Sequence, residues 1–139
     1  MADFNAPSAG QDVRIALHLA PSDGGAAAGT FVVTGLVSDS GVAPALERFV
    51  ALRTGADVPV VVRGADSFAG AGGTIAITYD GVFRPIAHGL FSGTGMWRIT
   101  GGDHRYEQLR GDGCWTATAR LGPAGLTVDV LYEGSGRFA

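Results

Sequence analysis

Phe91-Ser-Gly-Thr-Gly-Met-Trp-Arg-Ile-Thr-Gly-Gly-Asp-His-Arg-Tyr-Glu-Gln-Leu-Arg-Gly-Asp-Gly-Cys-Trp115 decides the fold. Two alternating segments flank a compact turn built on Gly101-Gly102 and closed by Gly111. Gly95, Trp97 and Ile99 share one face of the first segment, and Gly113, Trp115 and Ala117 share one face of the second. A period of two marks half-buried strands. Between them Tyr106 and Leu109 stand three apart, the spacing of a helical turn. The unit reads as strand, helical turn, strand, with the turn plugging one end of a closed sheet.

Working outward, the 139 residues have the length of one domain, and 46% hydrophobic content is enough to bury a core. Charged residues make up only 17%, so much of the surface must be Gly, Ala, Ser and Thr. A net charge of -3 with scattered basic residues gives no footprint for nucleic acid. All 10 basic residues are arginine, which excludes lysine Schiff-base chemistry. The single cysteine, Cys114, excludes an intrachain disulfide. The N-terminal residues carry neither a basic nor an apolar leader region, and no apolar run approaches membrane-spanning length. The expected location is therefore the cytoplasm, with no membrane partner. The 23 glycines recur among β-formers without a repeat, as in an all-β chain rich in turns and close strand crossings.

Residues 1–11 lack periodicity and read as a loose tail to a single domain spanning 1–139. Val13, Ile15, Leu17 and Leu19 alternate as a first strand. Gly29 to Val37 reads as a second strand, apolar on both faces, so both faces are expected to be covered, the outer one by another subunit. Ser38-Asp-Ser-Gly41 is expected to turn the chain. Residues 43–54 fit a short helix started by Pro44 and stopped by Gly55, or a strand centred on Arg48–Leu52. Val58–Arg63 starts a strand, and Ser67–Tyr79 reads as strand, glycine corner, strand. Asp80-Gly81 is a hairpin-turn signal, and Val82–Leu90 is weakly patterned around Pro85 and Gly89. Gly122–Gly125 is a turn before a last strand over 126–133. The sum is a closed antiparallel β-barrel of about eight strands.

Phe68-Ala-Gly-Ala-Gly-Gly-Thr-Ile-Ala-Ile77, followed by Gly93 to Gly113 with its Gly-Gly and Tyr-x-x-Leu-x-Gly, resembles the bacterial branch of the allene oxide cyclase/dirigent-like barrels. The likeness spans roughly residues 29–121. It implies an eight-stranded barrel, commonly a homodimer or homotrimer, and makes residues 46–53 a strand. It also implies a cofactor-free cyclase or isomerase of natural-product biosynthesis. Such an enzyme would bind an apolar, conjugated or polyketide-like small molecule in the lumen and steer its cyclisation. A non-catalytic ligand-binding or oligomeric structural barrel is the alternative. Asp103-His104 and Glu107-Gln108 depart from the family pattern and make the turn more polar than usual. No catalytic residue of the family falls within the matched motif, so candidates come from the alternation alone.

On that basis Phe31, Phe49, Ile77, Ile99, Trp97 and Trp115 face the lumen as substrate-binding residues, joined at the turn by Tyr106. The same residues would equally fill a small barrel with no cavity. Tyr79 and Tyr132 are candidate hydrogen-bond donors or weak acids, or simply anchored hydroxyls. Glu47 shares a face with Phe49 and is the expected inward carboxylate, which burial would suit to acid–base work. His104 beside Asp103 is a candidate base, or a solvated loop histidine. His18 and His88 are weaker candidates. The three histidines lack metal-ligand spacing, so neither metal nor other cofactor is expected. Arg98, Asp129 and Glu133 should face outward, and Cys114 should be inert.

Overall fold

A computed structural model describes residues 10–21, 27–43 and 58–139. Eight antiparallel strands form a closed ring in chain order: β1 (Gln11–Pro21), β2 (Ala27–Gly35), β3 (Asp39–Ala43), β4 (Val60–Gly70), β5 (Gly73–Ala87), β6 (Leu90–Gly102), β7 (Leu109–Gly122) and β8 (Gly125–Phe138). β1 closes the ring against β8, with Val13 opposite Gly134 and Leu17 opposite Val130. The helical turn is a single 3-10 turn, His104–Tyr106, between β6 and β7.

Alternation sets the two faces. Val13, Ile15, Leu17 and Leu19 of β1 are buried while Arg14, Ala16 and His18 face out. The same rule puts Phe31 and Val33, Ile75 and Ile77, Trp97 and Ile99, and Val128 and Val130 inside. One hydrophobic core lies inside the ring. At one end stand Tyr106 and Leu109, and at the other Phe83, Phe91 and Leu126.

Glycines make room for the large rings. A Cβ on Gly81 would lie 2.4 Å from Cζ2 of Trp115, and one on Gly93 would lie 2.6 Å from the Phe83 ring. Strand glycines here mark close approach rather than turns. This corrects the expected hairpin at Asp80-Gly81: β5 runs straight through both, paired to Met96 and Gly95. The chain reverses at His88-Gly89 instead, where Gly89 has φ +70. Pro85 is tolerated because the β5–β6 register shifts between Pro85 and Ala87.

Other boundaries move too. β2 stops at Gly35 (φ +99), where a side chain would meet Asp12 O, so Leu36–Ser38 turns the chain and β3 already begins at Asp39. Val60 to Gly70 is one continuous strand rather than two pieces. Residues 44–57, and with them the choice between helix and strand, lie outside the described residues, as do residues 1–9.

Candidate functional site

The inner face of β4 reads Val62, Gly64, Asp66, Phe68 by alternation, and so puts a carboxyl inside the ring. Asp66 is 5% exposed and is the one buried charged side chain among the described residues. Its Oδ1 accepts the Ser67 N–H at 3.0 Å. Asp66 pairs with Ile77 on β5, and Gly64 pairs with Tyr79. Asp66 and Tyr79 are therefore diagonal neighbours on one face, a relation within reach of long side chains.

Around them lies an aromatic wall. Phe31 tilts against Phe68 with centroids 5.2 Å apart, Phe68 meets Tyr132 at 5.8 Å, and Tyr132 meets Trp97 at 6.0 Å. Tyr79 stands edge-on to Trp115 at 6.4 Å, and Phe83 tilts against Trp115 at 5.6 Å. Both indole N–H groups are committed to backbone. Trp97 donates to Cys114 O at 3.0 Å and Glu133 O at 3.3 Å, and Trp115 donates to Asp80 O at 3.0 Å. Towards anything inside the ring the tryptophans thus present ring surface, not donors.

The sequence candidates separate into groups. Phe31, Ile77, Tyr79, Trp97, Ile99, Trp115 and Tyr132 are all buried on the inner face. Glu47 and Phe49 lie outside the described residues. Tyr106 is buried at the plugged end, and its hydroxyl donates to Asp39 Oδ2 at 2.5 Å. Asp39 also accepts the N–H groups of Ser40, Ala71 and Gly72 at 2.8–3.0 Å. These bonds, Tyr106 first, hold its carboxyl down at about 2. Burial and then the Asp39 carboxylate push the Tyr106 phenol up to about 12. The pair ties the turn to the start of β3, so the Tyr106 hydroxyl acts as a fastening.

His104 is exposed, at φ 49, with Nδ1 3.2 Å from Asp103 Oδ1. That carboxylate first accepts the Thr74 N–H, at 2.6 Å, and its pKa is lowered by this bond and then by His104. The dyad exists, but it sits on the outside of the corner, apart from the aromatic wall. Arg98, Asp129 and Glu133 face outward as expected, and Cys114 is exposed as well. Cys114 Sγ lies 3.6 Å from Met96 Sδ.

Asp66 and Asp39 were not among the sequence candidates. Asp66 falls in Gly64-Ala65-Asp66, which looks like turn chemistry between two strands. Only continuous alternation from Val62 to Phe68 reveals it as inward.

No family model, curated protein or solved structure matches the chain. The ring of eight antiparallel strands therefore stands on the geometry alone. Among the described residues, no helix is long and apolar enough to cross a membrane.

Proposed function

We propose that the interior of the ring is a cofactor-free reaction chamber for an apolar, conjugated or polyketide-like small molecule, promoting its cyclisation or isomerisation in natural-product biosynthesis. The observation that carries this reading is Asp66, a carboxyl placed inside an aromatic wall one diagonal step from Tyr79. Burying a carboxyl costs free energy that an apolar residue would not, so packing alone does not account for it. In the proposed reaction the rings of Trp97, Trp115 and Phe68 fold the substrate. Asp66 then moves a proton at the reacting carbon or oxygen, and Tyr79 donates to a carbonyl. Tyr132 takes a supporting place between Phe68 and Trp97. The resemblance of residues 68–77 and 93–113 to the allene oxide cyclase/dirigent-like barrels points the same way, and a cytoplasmic setting belongs to the same proposal.

The test is turnover. Purified protein is incubated with a linear conjugated precursor, and rate and product ratio are compared with buffer alone. Asp66→Asn is expected to lower kcat by about 10²–10⁴, the usual share of a general acid or base, and Tyr79→Phe to lower it less. A rate and product distribution equal to buffer sinks the proposal. The density of rings in the core favours one second reading, a binding protein without turnover. Saturable quenching of tryptophan emission by the same precursor, with no product formed, would select it.

A further inference from the structure

We propose that Arg98, Arg110 and Arg137 form an anion-binding site on the outside of the barrel, and that its ligand is a small soluble phosphate monoester. The inference is independent of what happens in the lumen. Strand register brings the three guanidinium groups together. Arg110 on β7 stands directly opposite Arg137 on β8, and one outward position further along the same strands Asp112 stands opposite Ser135. Arg98 on β6 faces Asp112. It is therefore the diagonal neighbour of Arg110, within reach of side chains as long as arginine. All three arginines line one concavity of about 430 Å³, together with Asp112 and Ser135.

Like charges directly opposite each other on neighbouring strands destabilise a sheet. The Arg110–Arg137 pair thus works against the fold unless an anion sits beside it. Neither overall charge nor internal pairing accounts for the cluster. The chain has a formal net charge of -3, yet three guanidinium groups meet here against the one side-chain carboxylate of Asp112. Among the described residues none of the three arginines is in an ion pair. Arg110 is held by backbone instead, its Nη1 donating to Leu109 O at 2.8 Å and Glu107 O at 3.2 Å. Those bonds fix the group and leave Nε and Nη2 as donors. A phosphate monoester brings three acceptor oxygens and close to two negative charges at neutral pH. It suits three converging arginines better than a carboxylate, which a single guanidinium fork already engages with both oxygens. The Ser135 hydroxyl adds a neutral donor. The volume falls within the range of about 300–1,000 Å³ for small-molecule sites, so the organic part of the ester also finds room. A chain with excess negative charge is repelled by an anionic membrane surface, which favours a soluble ester over a lipid phosphate.

Calorimetric titration of the full chain with glycerol phosphate at fixed ionic strength tests the site, using wild type, Arg98→Gln, Arg137→Gln and, as a control of equal charge elsewhere on β7, Arg120→Gln. Wild type and Arg120→Gln are expected to bind saturably. The other two variants should bind at least about tenfold more weakly, each having lost a charge-assisted bond. Urea unfolding without ligand gives a second reading. Arg137→Gln should be no less stable than wild type, because the like-charge contact with Arg110 is gone, whereas loss of a structural arginine would weaken the fold. Vesicles carrying phosphatidate, tested in parallel, separate the lipid source from the soluble one. The proposal is overturned by any of four results: no saturable binding, binding indifferent to Arg98 and Arg137 or equally lost with Arg120, a destabilised Arg137→Gln, or binding to the vesicles but not to glycerol phosphate.

Discussion

Asp39 gathers four donors at the point where β3 begins, and the bond from Tyr106 is the one that reaches across the barrel end. Tyr106→Phe keeps the ring and removes the hydroxyl. It is expected to cost about 1.5–3 kcal/mol, the range for a hydrogen bond to a charged group, read from urea unfolding. The pair also dictates two arms of a pH profile. A carboxyl held at about 2 when folded stabilises the fold above its unfolded pKa of about 4. That contribution drains away as pH falls through the folded value. The phenol, raised to about 12, contributes fully below its unfolded pKa of about 10 and loses that contribution as pH rises through the folded value. Thermal melts across both windows should show Asp39→Asn flattening the acid arm and Tyr106→Phe the alkaline arm. If neither variant changes either slope, the fastening is not formed in solution. Little of this was legible beforehand. Tyr106 announced itself by its spacing from Leu109, but its partner lies 67 residues away, and no local pattern points to Asp39. Asp66 was hidden for the opposite reason, since its neighbours Gly64 and Ala65 look locally like a turn.

Among the elements, β5 to β8 owe their inner surface to glycine. A Cβ on Gly113 would lie 2.0 Å from Glu133 O, the carbonyl that also accepts the Trp97 N–H. Gly113→Ala must push these strands apart and is expected to cost about 1–3 kcal/mol, as overpacking does. Gly101 offers the contrast, because a Cβ there meets nothing within 4 Å. Gly101→Ala is expected to be neutral or to stabilise by about 0.4–1 kcal/mol through the unfolded chain. Equilibrium denaturation of the two variants separates glycine used for space from glycine used for nothing steric. The same contrast explains what the sequence told and withheld about strands. Alternation is a local property, so β1, β6 and β7 could be read directly. A glycine under an indole cannot be told from one in a hairpin until the indole's position is known, and for that reason Asp80-Gly81 looks like a hairpin turn in the sequence.

For the whole molecule, every strand but the first and last pairs with its neighbours in sequence, while closure joins Gln11 to Gly136. Closing contacts of such separation place folding in the milliseconds-to-seconds regime of non-local β-topologies. Stopped-flow tryptophan fluorescence should find that regime, and sub-millisecond refolding would contradict it. The wall itself is unevenly reinforced. Trp97 reaches from β6 to carbonyls on β7 and β8, and Trp115 reaches from β7 past β6 to β5. These indoles act as diagonal struts, and a strut resists shear, the sliding of one strand along the next, which ladder bonds alone resist poorly. Pulled along its strands, the barrel should therefore yield first outside the strutted arc from β5 to β8, with that arc surviving as the stiff unit.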